Sequence, residues 1–163
     1  MVDDSFKSAG QFDENAEAAI VSKDDDEEYL IDKKGNKLSK SYSYISKSCV
    51  DEKSKINYYT GRNYDTNKSV LFDSKGKEIS KKEITYGVFC EDGDVYYSDY
   101  EQKNIYKNSD DVSVLKLSKA AGSLRVREEG YIETYDSKTR TYAYYTLAGK
   151  KFYEVTVKKN TYY

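Results

Sequence analysis

The chain has 163 residues and a net charge of −2 from 27 basic and 29 acidic side chains, so it has the length of one ordinary domain and lacks the basic excess of a nucleic-acid binder. Hydrophobic residues make up 37%, and 19 of them are tyrosines whose hydroxyls must reach water or a partner. The absence of histidine excludes Ser-His-Asp and Cys-His catalytic sets and His-based zinc sites, and no apolar run approaches the ~18 residues that a membrane-spanning helix needs.

Read from its start, "MVDDSFKSAG" has neither the basic opening nor the apolar middle of a secretory leader, which leaves a cytoplasmic chain and a mature secreted one both open. A short turn is expected around Glu14 to Ala19, and no helix elsewhere. From Ile20 onward, β-branched and aromatic residues come in short runs broken by Gly, Asn and Lys clusters, the pattern of strands and turns. The first set is "IVSK", "YLID-KKGN-KLS" and "YSYIS"; the second is "INYYT", "SVLFD", "SKGK", "EIS" and "EITYGVFC". In the third, "KNSDDV" replaces the Gly turn, and "AYYTL-AGKK-FYEV" fills the slots of the fourth.

Two columns recur along these sets. A hydroxyl stands at Ser22, Thr60, Ser98 and Thr134, spaced 38, 38 and 36; an acidic pair stands at Asp13-Glu14, Asp51-Glu52, Glu91-Asp92 and Glu128-Glu129. They predict an all-β fold of about four repeats of ~38 residues, each a four-stranded antiparallel meander. The expected units are 16–53, 54–92, 93–129 and 130–163 of a single domain 1–163. Such small sheets cannot bury both faces alone, so a β-propeller or propeller-like array is expected, with residues 5–15 completing the last unit and closing the ring.

At "VYYSDYEQKNIY" (Val95 to Tyr106) the chain resembles the YWTD repeat of β-propellers, and Tyr58 to Gly61 follows it more loosely. The stretch "FDENAEAAIVSKDDDEEYLIDKKGNKL" (Phe12 to Leu38) resembles the bacterial WG repeat, with Glu28-Tyr29 where the Trp-Gly pair stands, and "LFDSKGKEI" repeats its turn. The resemblance implies a repeat scaffold used for binding, at a bacterial cell surface or in a multidomain partner protein.

Among residues that carry chemistry, Cys49 and Cys90 fall in adjacent columns of the fourth strands of different units, so two free structural thiols are expected. No base repeats beside the hydroxyl column, whose members are expected to bond nearby backbone. The acidic pairs, including Asp51, Glu52, Glu91 and Asp92, would gather on one face in the links between sheets, where they could hold a cation or a basic partner. Lys33, Lys34, Lys75, Lys77, Lys150 and Lys151 reach the same face and offset them, so solvated turns are the plainer reading and no metal or cofactor is assigned. Tyr59 and Tyr97, with Asp99 beside the latter, are the remaining candidates, because flat amphipathic rings stack on sugars or bury in protein interfaces. Core packing is the plainer reading for them too. Arg62, Arg125, Arg127 and Arg140 share no column, which speaks against a sialidase-like site.

The functional expectation is a non-catalytic binding or protein-interaction module, extracellular or at a bacterial cell surface, with the cytoplasm left open. Its partner is expected to be another protein, with no nucleic acid and no membrane span. The alternative is a carbohydrate-binding or glycan-hydrolysing domain using exposed tyrosines and carboxylates. The candidate binding residues are Tyr59, Tyr97, Asp99, Asp51, Glu52, Glu91 and Asp92.

Overall fold

A computed structural model describes residues 6–15, 17–84 and 87–159, and among them there is no helix. The strands are β1 (Ser8–Ala9), β2 (Ala18–Asp24), β3 (Glu27–Asp32), β4 (Tyr44–Asp51), β5 (Ile56–Asn63), β6 (Lys68–Asp73) and β7 (Phe89–Glu91), followed by β8 (Asp94–Ser98), β9 (Asn104–Lys107), β10 (Ser109–Lys116), β11 (Ser123–Arg127), β12 (Tyr131–Asp136), β13 (Thr141–Tyr145) and β14 (Lys151–Thr156). They form four sheets, β1-β2-β3, β4-β5-β6, β7-β8-β9-β10 and β11-β12-β13-β14, in which every neighbour is also the next strand in the chain. The all-β expectation holds, as antiparallel meanders of three or four strands.

In the first two sheets the fourth strand shrinks to one bridge, Ile31 with Lys37 and Phe72 with Glu78, where a short strand "EIS" was expected in the second. The local cause is a serine. The Ser39 hydroxyl accepts the Leu30 N–H at 2.9 Å, and the Ser80 hydroxyl accepts the Leu71 N–H at 2.8 Å, so a side chain takes the place of the next ladder bond and frees the backbone to turn away. Ahead of these serines the Asp32 carboxylate accepts the N–H groups of Lys34 and Asn36, and Asp73 those of Lys75 and Lys77, while Gly35 (φ 83°) and Gly76 (φ 80°) supply the left-handed residue of the turn.

Leu30 and Leu71, Asp32 and Asp73, Gly35 and Gly76, and Ser39 and Ser80 are all 41 residues apart, as are Cys49 and Cys90. The first four pairs are equivalent places in the first two sheets, and the cysteines belong to the second and third. The hydroxyl column is not one structural column: Thr60 pairs with Leu71, whereas Ser22 pairs with Glu28, and Ile20 is the residue opposite Leu30.

Three further expectations are corrected. Each sheet begins with the strand ahead of an acidic pair, so Asp51-Glu52, Glu91-Asp92 and Glu128-Glu129 sit at hairpin turns inside sheets and not in links between them. The N-terminal strand pairs with β2, Ser8 opposite Ser22 and Ala9 opposite Val21, and so begins the first sheet instead of completing the last. Cys49 and Cys90 are joined in a disulfide, with Cα atoms 6.1 Å apart. Both lie in the first strand of their sheets, and a bulge between Lys47 and Cys49 breaks the side-chain alternation, so adjacent columns do not keep the two thiols apart. The expected unit ends at residues 5, 16 and 160–163, and the Thr85-Tyr86 part of "EITYGVFC", lie outside the described residues.

The chain divides into two compact units, Met1–Ile84 with Cys90–Asp94, and Thr85–Phe89 with Val95–Tyr163. In the first, Ala18 and Leu30 of the first sheet pack on Ile45, Tyr59 and Phe72 of the second, with Ile20, Leu38 and Tyr42 at the margin. The Tyr42 ring stacks on Phe72 with centroids 5.0 Å apart. On the first sheet's other face Phe6 packs against Ala19, Val21, Tyr29 and Ile31. In the second unit Tyr96 and Ile105 pack on Leu124, Val126 and Ile132. Burial of each Val, Leu, Ile or Phe side chain among these contributes roughly 1.5–3 kcal/mol of transfer free energy.

Candidate binding site

The tyrosines singled out in the sequence are core residues. Tyr59 is fully buried and its hydroxyl donates to the Asp13 carboxylate, which also pairs with Lys47 at 2.8 Å. Burial and the bond to Asp13 push the Tyr59 phenol up. Burial disfavours an ionised Asp13, but the bonds from Lys47, Tyr59 and Asn57 outweigh it and hold the carboxyl below its ordinary value. Tyr97 is fully buried as well and donates to Asp110 at 2.8 Å; burial and Asp110 keep its phenol protonated.

Asp99 and Asp51 are turn caps. Asp99 accepts the N–H groups of Lys103 and Asn104 at 2.9 and 3.1 Å. Asp51 is buried, which opposes ionisation, yet the Ser54 hydroxyl and the N–H groups of Gly93, Ser54 and Lys53 together hold it low. Glu52, Glu91 and Asp92 are exposed. Lys55 pairs with Glu52 at 3.3 Å, and Lys53 lies 3.9 Å from Asp92. Asp51, Glu52, Glu91 and Asp92 do come together, at two hairpin turns clamped by the Cys49–Cys90 disulfide and by the bond from Gly93 to Asp51. The carboxylate of Asp51 is engaged with backbone and the Ser54 hydroxyl and those of Glu52 and Asp92 with lysine, and among the described residues no three acidic or thiol groups converge on one metal position.

The surface that the sequence reading missed lies on the last sheet. Strand register puts Tyr131, Glu133 and Tyr135 of β12 on one face with Tyr142 and Tyr144 of β13, and with Tyr153 and Val155 of β14. Ring centroids are 5.9 Å apart for Tyr131 and Tyr144, 5.8 Å for Tyr144 and Tyr153, and 4.6 Å for Tyr135 and Tyr142. Arg125 and Arg127 of β11 border the rings and reach Glu133 at 3.0 and 3.9 Å. The bond with Tyr131 and the charge of Glu133 raise the Arg127 guanidinium further. Along β14 every residue is exposed, Phe152 by 58% and Tyr153 by 57%. The available signal was the alternation Tyr131-x-Glu133-x-Tyr135 followed by Tyr142-x-Tyr144. Adjacent Tyr-Tyr pairs, by contrast, split one ring to each side of a strand.

The position of this face in the repeat explains its exposure. The turn bond from Asp32 N–H to Asn36 O recurs from Thr146 N–H to Lys150 O, so Gly149 stands where Gly35 does. By that alignment Tyr144 occupies the place of Leu30, Tyr131 that of Ala18 and Phe152 that of Leu38. Those three first-sheet residues are covered by the second sheet. Tyrosine at such places tolerates water at its hydroxyl while offering a broad apolar ring. Compared with protein-family models and with curated proteins, the chain matches none of them.

Proposed function

We propose that the protein is a non-catalytic binding module on a β-repeat, propeller-like scaffold, and that its partner, another protein, seats on the tyrosine face of β12, β13 and β14. The observation that carries this reading is the row of half-buried and exposed rings on a face whose equivalent in the first sheet is a packed interface. Tyrosine and arginine are the residues enriched at protein interfaces, because they provide area at small entropic cost. The four antiparallel meanders, with the WG-like and YWTD-like segments, support the propeller-like arrangement. The disulfide supports an extracellular or cell-surface location, since such bonds persist in oxidising compartments.

Carbohydrate is the second reading, favoured by the Tyr131, Tyr144 and Tyr153 rings at 5.9 and 5.8 Å spacing, which offer successive platforms to sugar rings. The test compares the immobilised wild type with a Tyr131→Ser/Tyr144→Ser/Tyr153→Ser variant of unchanged far-UV spectrum, presented with surface-protein extracts and with a glycan array. A protein ligand held at least about tenfold more weakly by the variant supports the reading. Glycan binding alone moves it to the second one, and equal retention by both chains removes this face from consideration.

A further inference from the structure

The chain is poor in every easily oxidised side chain but one. It has no tryptophan and no histidine, a single methionine, Met1, and two cysteines that are joined to each other, against 19 tyrosines. Thiols and thioethers are the side chains that ordinarily take up oxidising equivalents. Here a one-electron oxidant meets phenols almost alone.

Ring geometry sets where such an oxidation ends. Tyr135 of β12 and Tyr142 of β13 lie directly opposite each other in the antiparallel ladder, on one face of the sheet. Their ring centroids are 4.6 Å apart, against 5.9 Å for Tyr131 and Tyr144, 5.8 Å for Tyr144 and Tyr153, and 5.7 Å for Tyr97 and Tyr106. The Tyr135–Tyr142 separation is close to that of two directly bonded phenol rings. The two planes are tilted by 33°, and a turn about the soft terminal side-chain torsions is the movement that brings one ortho carbon to the other. Both rings are half-buried and reach solvent, whereas Tyr97 and Tyr106 are buried. Tyr153, exposed on β14, is in ring contact with Tyr144, which follows Tyr142 by two residues on the same face. An electron hole formed at the edge of the sheet therefore has neighbouring phenols to cross toward the closest pair.

We propose that Tyr135 and Tyr142 form an oxidative cross-linking site, at which hydrogen peroxide and a one-electron oxidant of the haem-peroxidase class join the two rings as dityrosine. Each phenol gives up one electron and its hydroxyl proton, and the two phenoxyl radicals form one bond between carbons ortho to the oxygens. The two ortho hydrogens then move to the oxygens and restore both phenols. Hydrogen peroxide takes up the two electrons and two protons and leaves as two molecules of water. The new bond staples β12 to β13 beside the Asp136–Thr141 pair that closes their hairpin. The site lies within one sheet and does not depend on what seats on the tyrosine face.

The test exposes the intact chain to a haem peroxidase with hydrogen peroxide, at a dilution that suppresses coupling between chains. Dityrosine fluorescence should appear in a product that runs at the mass of a single chain. Lys138 and Arg140 separate the two tyrosines, so after trypsin the peptides 128–138 and 141–150 should remain joined, two hydrogens lighter than the separate pair. Tyr135→Phe and Tyr142→Phe keep the ring and lose the phenol, and each should abolish the joined pair. Tyr131→Phe should leave it in place.

A wild type that yields no joined pair overturns the proposal. So does a joined pair that survives Tyr135→Phe or Tyr142→Phe, or one that disappears with Tyr131→Phe. Dityrosine found only between chains, or at Tyr97 and Tyr106 instead, overturns it as well.

Discussion

At the scale of single residues, two glycines in one turn type have opposite surroundings. Gly35 and Gly76 both sit at positive φ, but only Gly76 is pressed against another backbone. Alanine at Gly35 should cost about 1–2 kcal/mol, the penalty of the left-handed conformation. At Gly76 the same change adds a collision with Leu38 that the turn can relieve only by moving, so a loss of more than about 3 kcal/mol is expected. Denaturant midpoints of the two variants check this, and equal losses would mean that the Gly76 contact carries no packing. A second residue-scale prediction concerns Tyr59→Phe. It removes the hydroxyl from Asp13, a half-buried acceptor that keeps its Lys47 partner, which should lower stability by about 0.5–1.5 kcal/mol, read from thermal unfolding.

At the scale of elements, the hairpin turns into β5 and β8 are joined by the Cys49–Cys90 disulfide and by the bond from Gly93 to Asp51. The bridge closes a loop with a sequence separation of 41, for which chain-entropy arguments give about 4 kcal/mol. A Cys49→Ser/Cys90→Ser chain, or the wild type under reductant, should therefore unfold at a clearly lower temperature. An unchanged midpoint in both would show that the Gly93 bond and the neighbouring ion pair suffice. The turns themselves were legible in the sequence, since Asp followed within a few residues by Gly or Asn caps its own loop whatever surrounds it. The disulfide was not legible, because a bulge at Ser48 and the sheet to which each cysteine belongs decide its facing, and neither leaves a compositional trace.

At the scale of the whole molecule, pH is the revealing variable. Asp13, Asp32, Asp51 and Asp136 all have carboxyl groups held below their ordinary value. In Asp32 and Asp136 the bonds donated by neighbouring groups, led by Asn36 and by the Thr139 N–H respectively, are the main cause. A folded-state value below the unfolded one, about 3.9 for Asp, contributes stability that is fully present above about pH 5 and lost as pH falls through the folded values. Tyr42 runs the other way: burial first, then Glu78, push its phenol up to about 12. Its contribution is complete below about pH 10, where an unfolded tyrosine begins to ionise, and fades as pH rises toward 12. Unfolding free energy should thus be level from about pH 5 to 9 and fall on both sides. Denaturant titrations across that range check the shape, and Asp51→Asn should soften the acid limb. A limb unchanged in that variant would show that Asp51 does not contribute.

By itself the sequence determined the class of the fold and its segmentation, because alternating apolar residues and self-capping turns act within a few positions of one another. It also marked the recurrence of the sheets through the acidic pairs, one of which ends or follows the first strand of each sheet, whereas the hydroxyl column is not one structural column. Only the tertiary structure decided which strand begins each sheet, where Ser8–Ala9 pairs, that the cysteines join, and that Tyr59 and Tyr97 lie inside while Tyr131, Tyr144 and Tyr153 face out. The physical reason is common to all four. A tyrosine, a cysteine or a two-residue strand is compatible with either face or either neighbour, and the choice is made by which sheet comes to cover it, an interaction between residues too far apart in the chain to mark the local pattern.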